Sequence, residues 1–328
     1  MNIHSIETFG THEGPGIRFV IFVQGCNYKC LYCHNPDTQK IKLNDKNIHP
    51  LSLPLTKREK MEQEYSINEL VEMIEKNRPY FGDKGGVTVS GGEPLLQAKE
   101  IAELFKRLKL RPHLASPSKG EELAQGIHTA LDTNGSILND DVKELLKYTD
   151  LVLLDIKHID LKWHEKVTGV KIPTGVIARS RSDEAIYPDG LPRLDSSNQS
   201  MAPTSPSYEG HGRNDNNESP EQLNNDYCIP SIRFAEYLES QNIPFWIRYV
   251  LVPGYTDQDE YLEQTAHMVG CFENLERIEI LPYHTMGEYK YEELNIEYKL
   301  KGIEPPTQEM VEKAKSIFEK SGKKVLIR

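Results

Sequence analysis

Short apolar runs alternate along this chain with stretches whose apolar residues recur every three or four positions. The runs fall at 17–23, 86–89, 127–131, 151–154, 245–252, 278–281 and 324–327, each the length of a strand. Helical spacing predicts helices starting at Ser66, over 95–108, near 141–147 and 230–239, from Thr256 and Asp259 to Cys271, and over 308–320. Ser66 with Glu69 makes a capping-box pattern, Leu70, Val71 and Ile74 share a face behind it, and Pro79 ends that helix. Strand and helix in alternation imply βαβ units and a parallel sheet. Six strands carry polar or glycine-rich sequence at their carboxyl ends, and six units are too few for a closed eight-stranded barrel.

Three stretches break the alternation. Residues 40–64 are polar and charged with Pro50 and Pro54, 109–125 are rich in Pro, Ser and Lys, and 177–226 are dominated by Ser, Asn, Asp, Pro and Gly. All three read as insertions in one domain spanning 1–328, and the last lacks the apolar surface to offset its chain entropy, so disorder is expected there. A net charge of -11 argues against a generic nucleic-acid binder, and no apolar run approaches a bilayer span. Five cysteines in 328 residues, three of them clustered, give no disulfide framework, and residues 1–10 lack a signal-peptide pattern. A reducing, cytoplasmic setting is expected, with Cys228 and Cys271 as small packed residues.

The chemistry concentrates in Cys26-Asn27-Tyr28-Lys29-Cys30-Leu31-Tyr32-Cys33-His34-Asn35, directly after the first strand. Three thiols in eight residues leave an odd one out for disulfides and suit a soft metal or an iron–sulfur cluster. A four-iron cluster held by three cysteines leaves one iron open for a substrate. A zinc knuckle of Cys26, Cys30, Cys33 and His34 is the alternative.

The C-x3-C-x2-C spacing, with Tyr32 before the last cysteine, resembles the radical S-adenosylmethionine (radical SAM) enzymes. The turn Glu13-Gly14-Pro15-Gly16-Ile17-Arg18 narrows the resemblance to the glycyl-radical-enzyme activases, and it continues to the carboxyl end apart from the insertion at 177–226. It implies a partial (β/α)6 TIM-like barrel with Cys26, Cys30 and Cys33 holding a single [4Fe-4S] cluster that reduces the cofactor. Ser90-Gly91-Gly92-Glu93-Pro94 resembles the segment whose backbone meets the methionyl amino group. By the same resemblance Lys157 meets the cofactor's carboxylate and His284 lies near its nucleoside portion. Tyr32, Cys33, His34, Asp155, Ile156 and Arg248 are further cofactor contacts. Asp132, Thr133, Asp155 and the Leu153 carbonyl resemble a monovalent-cation site for sodium or potassium. The implied reaction is reductive cleavage of S-adenosylmethionine to a 5′-deoxyadenosyl radical, which takes a glycine Cα hydrogen from a partner enzyme. The partner implied is pyruvate formate-lyase, with reduced flavodoxin or ferredoxin as donor and the chain as a monomer. Activases of other glycyl-radical enzymes remain open, although many carry extra cysteine clusters and 39–66 holds no cysteine. A non-catalytic zinc-binding protein is the third reading.

Overall fold

The computed structural model describes residues 1–40, 63–110, 126–172 and 229–328. Strand β1 (Asn2–Gly10) turns back through Glu13–Arg18 and runs antiparallel to β2 (Arg18–Val23). The two-residue β3 (Gln63–Glu64) pairs antiparallel with the far side of β1. From β2 outward every partner is parallel: β4 (Gly86–Gly91), β5 (His128–Thr133), β6 (Leu151–Asp155), β7 (Phe245–Leu251), β8 (Leu275–Pro282) and β9 (Lys324–Ile327). The order is β3-β1-β2-β4-β5-β6-β7-β8-β9, so the outermost strands do not meet and the barrel stays open. The partial-barrel expectation holds, with β1, β3 and β9 extending the six strands.

Both faces of the parallel strands are covered, as such sheets require. One face packs on helices Ile67–Asn77, Ala98–Leu110, Asp140–Leu146, Pro230–Ser240, Asp259–Gly270 and Gln308–Glu319, in a core that includes Phe105, Leu131, Leu154, Phe234, Ile247 and Phe318. The other face has a separate plug of Ala130, Leu151, Leu153 and Trp246. The Ser66–Glu69 capping box forms as read, with Ser66 N donating to Glu69 Oε2 at 2.8 Å and Glu69 N to Ser66 Oγ at 3.3 Å.

Arg18 explains the turn before β2. It is fully buried, and its guanidinium donates to Thr88 Oγ1 at 2.9 Å, meets His128 Nδ1 at 3.0 Å and reaches the Pro15 carbonyl at 3.4 Å. Burial pulls its pKa down to about 9. Gly16 has φ +69°, and a Cβ there would stand 2.6 Å from Gly85 N, so the turn closes only with glycine.

Several expectations are corrected. Cys271 is exposed rather than packed, because it caps the end of Asp259–Gly270 where the chain leaves the core. Lys109 and Leu110 are the last helical residues of Ala98–Leu110, held there as Lys109 pairs with Asp150. Gln63 and Glu64 are the short strand β3 and not loop. The first turn after Glu93 is a 3₁₀ turn, Pro94–Gln97, and the α-helix begins at Ala98. Lys40 caps the short turn Pro36–Gln39; the rest of the three insertions, and Cys228, lie outside the described residues. Among the described residues no helix is long and apolar enough to cross a membrane.

Phe105 is fully buried between the helix layer and the sheet. Phe105→Ala should lower the free energy of unfolding by about 3–5 kcal/mol, read as a fall in the urea midpoint with unchanged slope.

Candidate active site

The carboxyl ends of β2, β4, β5, β6, β7 and β8 surround a cleft of about 420 Å³. Every candidate cluster, cofactor and cation residue named from the sequence lines it except Leu153 and Ile156, whose side chains belong to the plug and the outer core. The three thiols share this cleft although they come from one loop.

That loop is held from two sides. The last carbonyls of helix Leu161–Thr168 accept from it, Lys29 N to Thr168 O at 2.8 Å and Leu31 N to Val167 O at 2.9 Å. From the far end of the chain, Tyr291 OH donates to the Cys33 carbonyl at 2.9 Å and Lys290 Nζ to Asn35 Oδ1 at 2.7 Å, both from helix Glu288–Glu293. His34 stacks on His284 with centroids 4.0 Å apart, and its Nε2 lies 3.2 Å from the His284 carbonyl. Neither helix is expected from the sequence, since eight and six residues are too few to show a helical period.

Burial raises all three thiols, Cys26 with help from Glu93 and Cys30 up to about 12. Tyr28 N donates to Cys26 Sγ at 3.4 Å. Among the described residues no three His, Cys, Asp or Glu side chains close around one ion point, and the His34 ring is engaged with His284. A single tetrahedral zinc would need four donors converging at roughly 2.0–2.3 Å, with His34 turned away from His284.

Gly91 and Gly92 carry β4 against the cluster loop. A Cβ on Gly92 would stand 2.0 Å from Gly25 O, one residue before Cys26, and Gly91 takes φ +108°. The Gly92 and Glu93 amides donate to Val23 O at 2.9 Å and Gly25 O at 2.7 Å, so the tight approach is first of all strand end to loop. Glu93 is 1% exposed and accepts from Leu95 N at 3.0 Å, Thr133 Oγ1 at 2.5 Å and Asn134 N at 2.9 Å. Its carboxylate braces β4 to β5, with burial pushing its pKa up to about 7.

The far wall is ionic. Lys157 Nζ lies 2.7 Å from Asp155 Oδ2 and 5.7 Å from the Tyr32 ring centroid. Burial opposes the Lys157 charge, yet Asp155, Tyr32 and Cys30 hold it protonated well above the usual lysine range. Asp132 Oδ2 accepts from Ser90 Oγ at 2.7 Å and Arg248 Nη1 at 3.0 Å, while Asp132 Oδ1 is buried without a donor. Glu13 also faces the cleft, its carboxyl raised by burial and then by Asp132. Within the Glu13–Arg18 turn nothing local marks Glu13 as a cleft residue.

Against known proteins, the radical SAM superfamily pattern matches residues 20–178. The pyruvate formate-lyase-activating enzyme of Staphylococcus epidermidis is 35% identical over 98% of this chain and 96% of its own length. The chain belongs to the pyruvate formate-lyase-activating enzyme family. The Staphylococcus aureus member is 34% identical over 95% of this chain and 93% of its own. The Streptococcus suis SuiB structure with its precursor peptide SuiA superposes with a TM-score of 0.51 at 14% identity, over 99% of this chain and 50% of that one. That likeness speaks for the fold alone. Membership of this radical SAM family implies a [4Fe-4S] cluster and S-adenosylmethionine. The residues present fit both: three half-buried thiols, with no fourth cysteine on the cleft among the described residues, beside a charged wall with an unused carboxylate oxygen.

The support under the cluster loop is acid-sensitive. Burial pushes His158, 0% exposed, and His164, 1% exposed, from 6.5 down to about 4. Between about 4 and 6.5 the unfolded chain binds protons that the folded chain refuses, so stability rises with pH across that window and is lost as pH falls. Urea titrations at stepped pH should show the midpoint dropping through this range, with a shallower drop in His164→Asn. An unchanged slope in that variant would remove His164 from the account.

Proposed function

We propose that the chain activates pyruvate formate-lyase by generating a glycyl radical on it, using a [4Fe-4S] cluster held by Cys26, Cys30 and Cys33. The observation that carries this reading is the meeting of three thiols, Gly91–Gly92 and two buried ion pairs on one cleft, in a chain of the activating-enzyme family. When bound, the cluster and S-adenosylmethionine supply a 5′-deoxyadenosyl radical able to take a hydrogen atom from a glycine Cα.

The chain's own residues prepare that chemistry. With thiols held protonated by burial, iron loading releases protons, and it is favoured by higher pH. Lys157 presents a fixed cation for the cofactor's carboxylate, held in place by Asp155 and packed over Tyr32. Glu93 and the glycines fix the β4 end, so backbone carbonyls there are set against the methionyl amino group. The free Asp132 oxygen, with Thr133, Asp155 and the Leu153 carbonyl, suits a sodium or potassium ion. Arg248 and the stacked His34–His284 pair line the nucleoside side, with Ile156 adding its backbone, whose N–H donates to the Arg248 carbonyl at 3.1 Å. The electron donor is reduced flavodoxin or ferredoxin, and the chain acts as a cytoplasmic monomer of one domain.

Cys26→Ala, Cys30→Ala and Cys33→Ala should each abolish the iron–sulfur absorbance and all cleavage of S-adenosylmethionine. Cys271→Ala, on the exposed side, should keep both. Iron content at the unaltered level in Cys30→Ala would refute the ligand set.

Incubated without oxygen with S-adenosylmethionine, reduced flavodoxin and pyruvate formate-lyase, the reconstituted protein should raise a carbon-centred EPR doublet on the lyase in step with its activity. Changing the lyase's radical-site glycine to alanine should remove that doublet. Cofactor cleavage with an EPR-silent lyase would point to another glycyl-radical enzyme as partner.

A further inference from the structure

One buried carboxylate has no part in the reading above. Glu279 of β8 is 0% exposed and stands beside Arg248 of β7 in the parallel register. Its Oε1 is fully engaged, 3.0 Å from Arg277 Nη2, 3.1 Å from Arg328 Nε and 3.0 Å from Arg328 Nη2. Both arginines are anchored in turn. The Arg277 guanidinium lies 3.1 Å over the Trp246 ring, and Arg328 N donates to Ile280 O at 3.0 Å. Glu279 is therefore a fixed point behind Arg248 and Arg328, which line the cleft.

Its other oxygen, Oε2, makes no hydrogen bond and faces Arg248 Nε at 3.6 Å, which makes none either. Arg248 meanwhile gives Nη1 to Asp132 Oδ2 at 3.0 Å and Nη2 to His12 O at 3.3 Å. One guanidinium thus stands between two buried carboxylates, and each of them keeps an oxygen without a donor. A guanidinium left with a single carboxylate tends to grip it with two parallel bonds. On Asp132 that grip would consume Oδ1.

We infer that Glu279 is a positioning residue: by drawing the Nε side of Arg248, it keeps Asp132 Oδ1 open for a monovalent cation beside the cofactor. This rests on the assignment of Asp132 to the cation site. Without the Glu279 charge, Arg248 closes on Asp132 and competes with the ion, so cation affinity falls while the cofactor's other contacts stay in place.

The test is equilibrium dialysis of labelled S-adenosylmethionine against the reconstituted, unreduced enzyme, with potassium chloride exchanged for choline chloride at constant ionic strength. For the unaltered protein, cofactor affinity should rise with potassium. Glu279→Gln should move the potassium midpoint upward about tenfold, the scale of one charge-assisted contact, with cofactor affinity restored at saturating potassium. A purely structural role would weaken cofactor binding at every potassium concentration. That result, or an unshifted midpoint, overturns the inference while leaving the cation site standing. No potassium dependence in the unaltered protein overturns the cation site itself and the inference with it. If Glu279→Gln does not retain iron, Glu279→Asp decides, because the shorter side chain keeps the charge among the arginines but withdraws it from Arg248 Nε. A smaller upward shift supports the inference, and none overturns it.

Discussion

Parallel pairing of short strands decides where charge sits in this molecule. Side chains two residues apart return to the same face, so Ala130 is followed by Asp132, Leu153 by Asp155, Trp246 by Arg248 and Arg277 by Glu279. The register aligns these steps, pairing Asp132 with Leu153, Asp155 with Arg248, and Arg248 with Glu279. The apolar plug of Ala130, Leu151, Leu153 and Trp246 therefore lies next to the ionic residues on the same face. Taking an ion out of water costs several kcal/mol even after relaxation. Each is tolerated here only because its neighbour carries the opposite sign: Asp132 with Arg248, Asp155 with Lys157, Glu279 with Arg277 and Arg328. The layer is stable as a set, and removal of one member leaves another charge uncompensated.

What the sequence shows of this is the part written locally. The cysteine loop, the Gly-Gly-Glu turn and the acidic strand ends are contiguous, and their strands are apolar enough to place them at one end of the sheet. The partial barrel is legible for the same reason. Strand β1 is not, because its alternation of half-buried and exposed residues within Asn2–Gly10 includes Asn2, His4, Ser5 and Glu7 and lacks an apolar run. Glu279 is equally hidden: in Ile278-Glu279-Ile280 it looks like the outward residue of an alternating strand. Only its place beside Arg248 in the register shows that its face is the inner one. Cys271 errs in the opposite direction, since thiols are commonly buried but a helix cap at the rim is not.

The glycines and Glu93 show how a motif can carry two duties. Their hydrogen bonds and close approaches are spent on β2, β5 and the cluster loop. The backbone surface left for a ligand is thus presented by a rigid corner, fixed before any ligand arrives. Rigid support of this kind is what positions reacting groups to the tolerance that catalysis demands.

The clamp on the cluster loop joins residues separated by most of the chain. Tyr291 reaches Cys33 across 258 positions, and Lys290 reaches Asn35 across 255. During synthesis the ribosome releases the three thiols long before it makes the residues that close over them. A nascent chain therefore holds its thiol loop without this clamp until nearly nine-tenths of it has been translated, whereas the finished fold fixes the loop with its thiols on the cleft. The geometry of the three-thiol loop is thereby completed only at the last stage of folding, by residues in the carboxyl-terminal eighth of the chain.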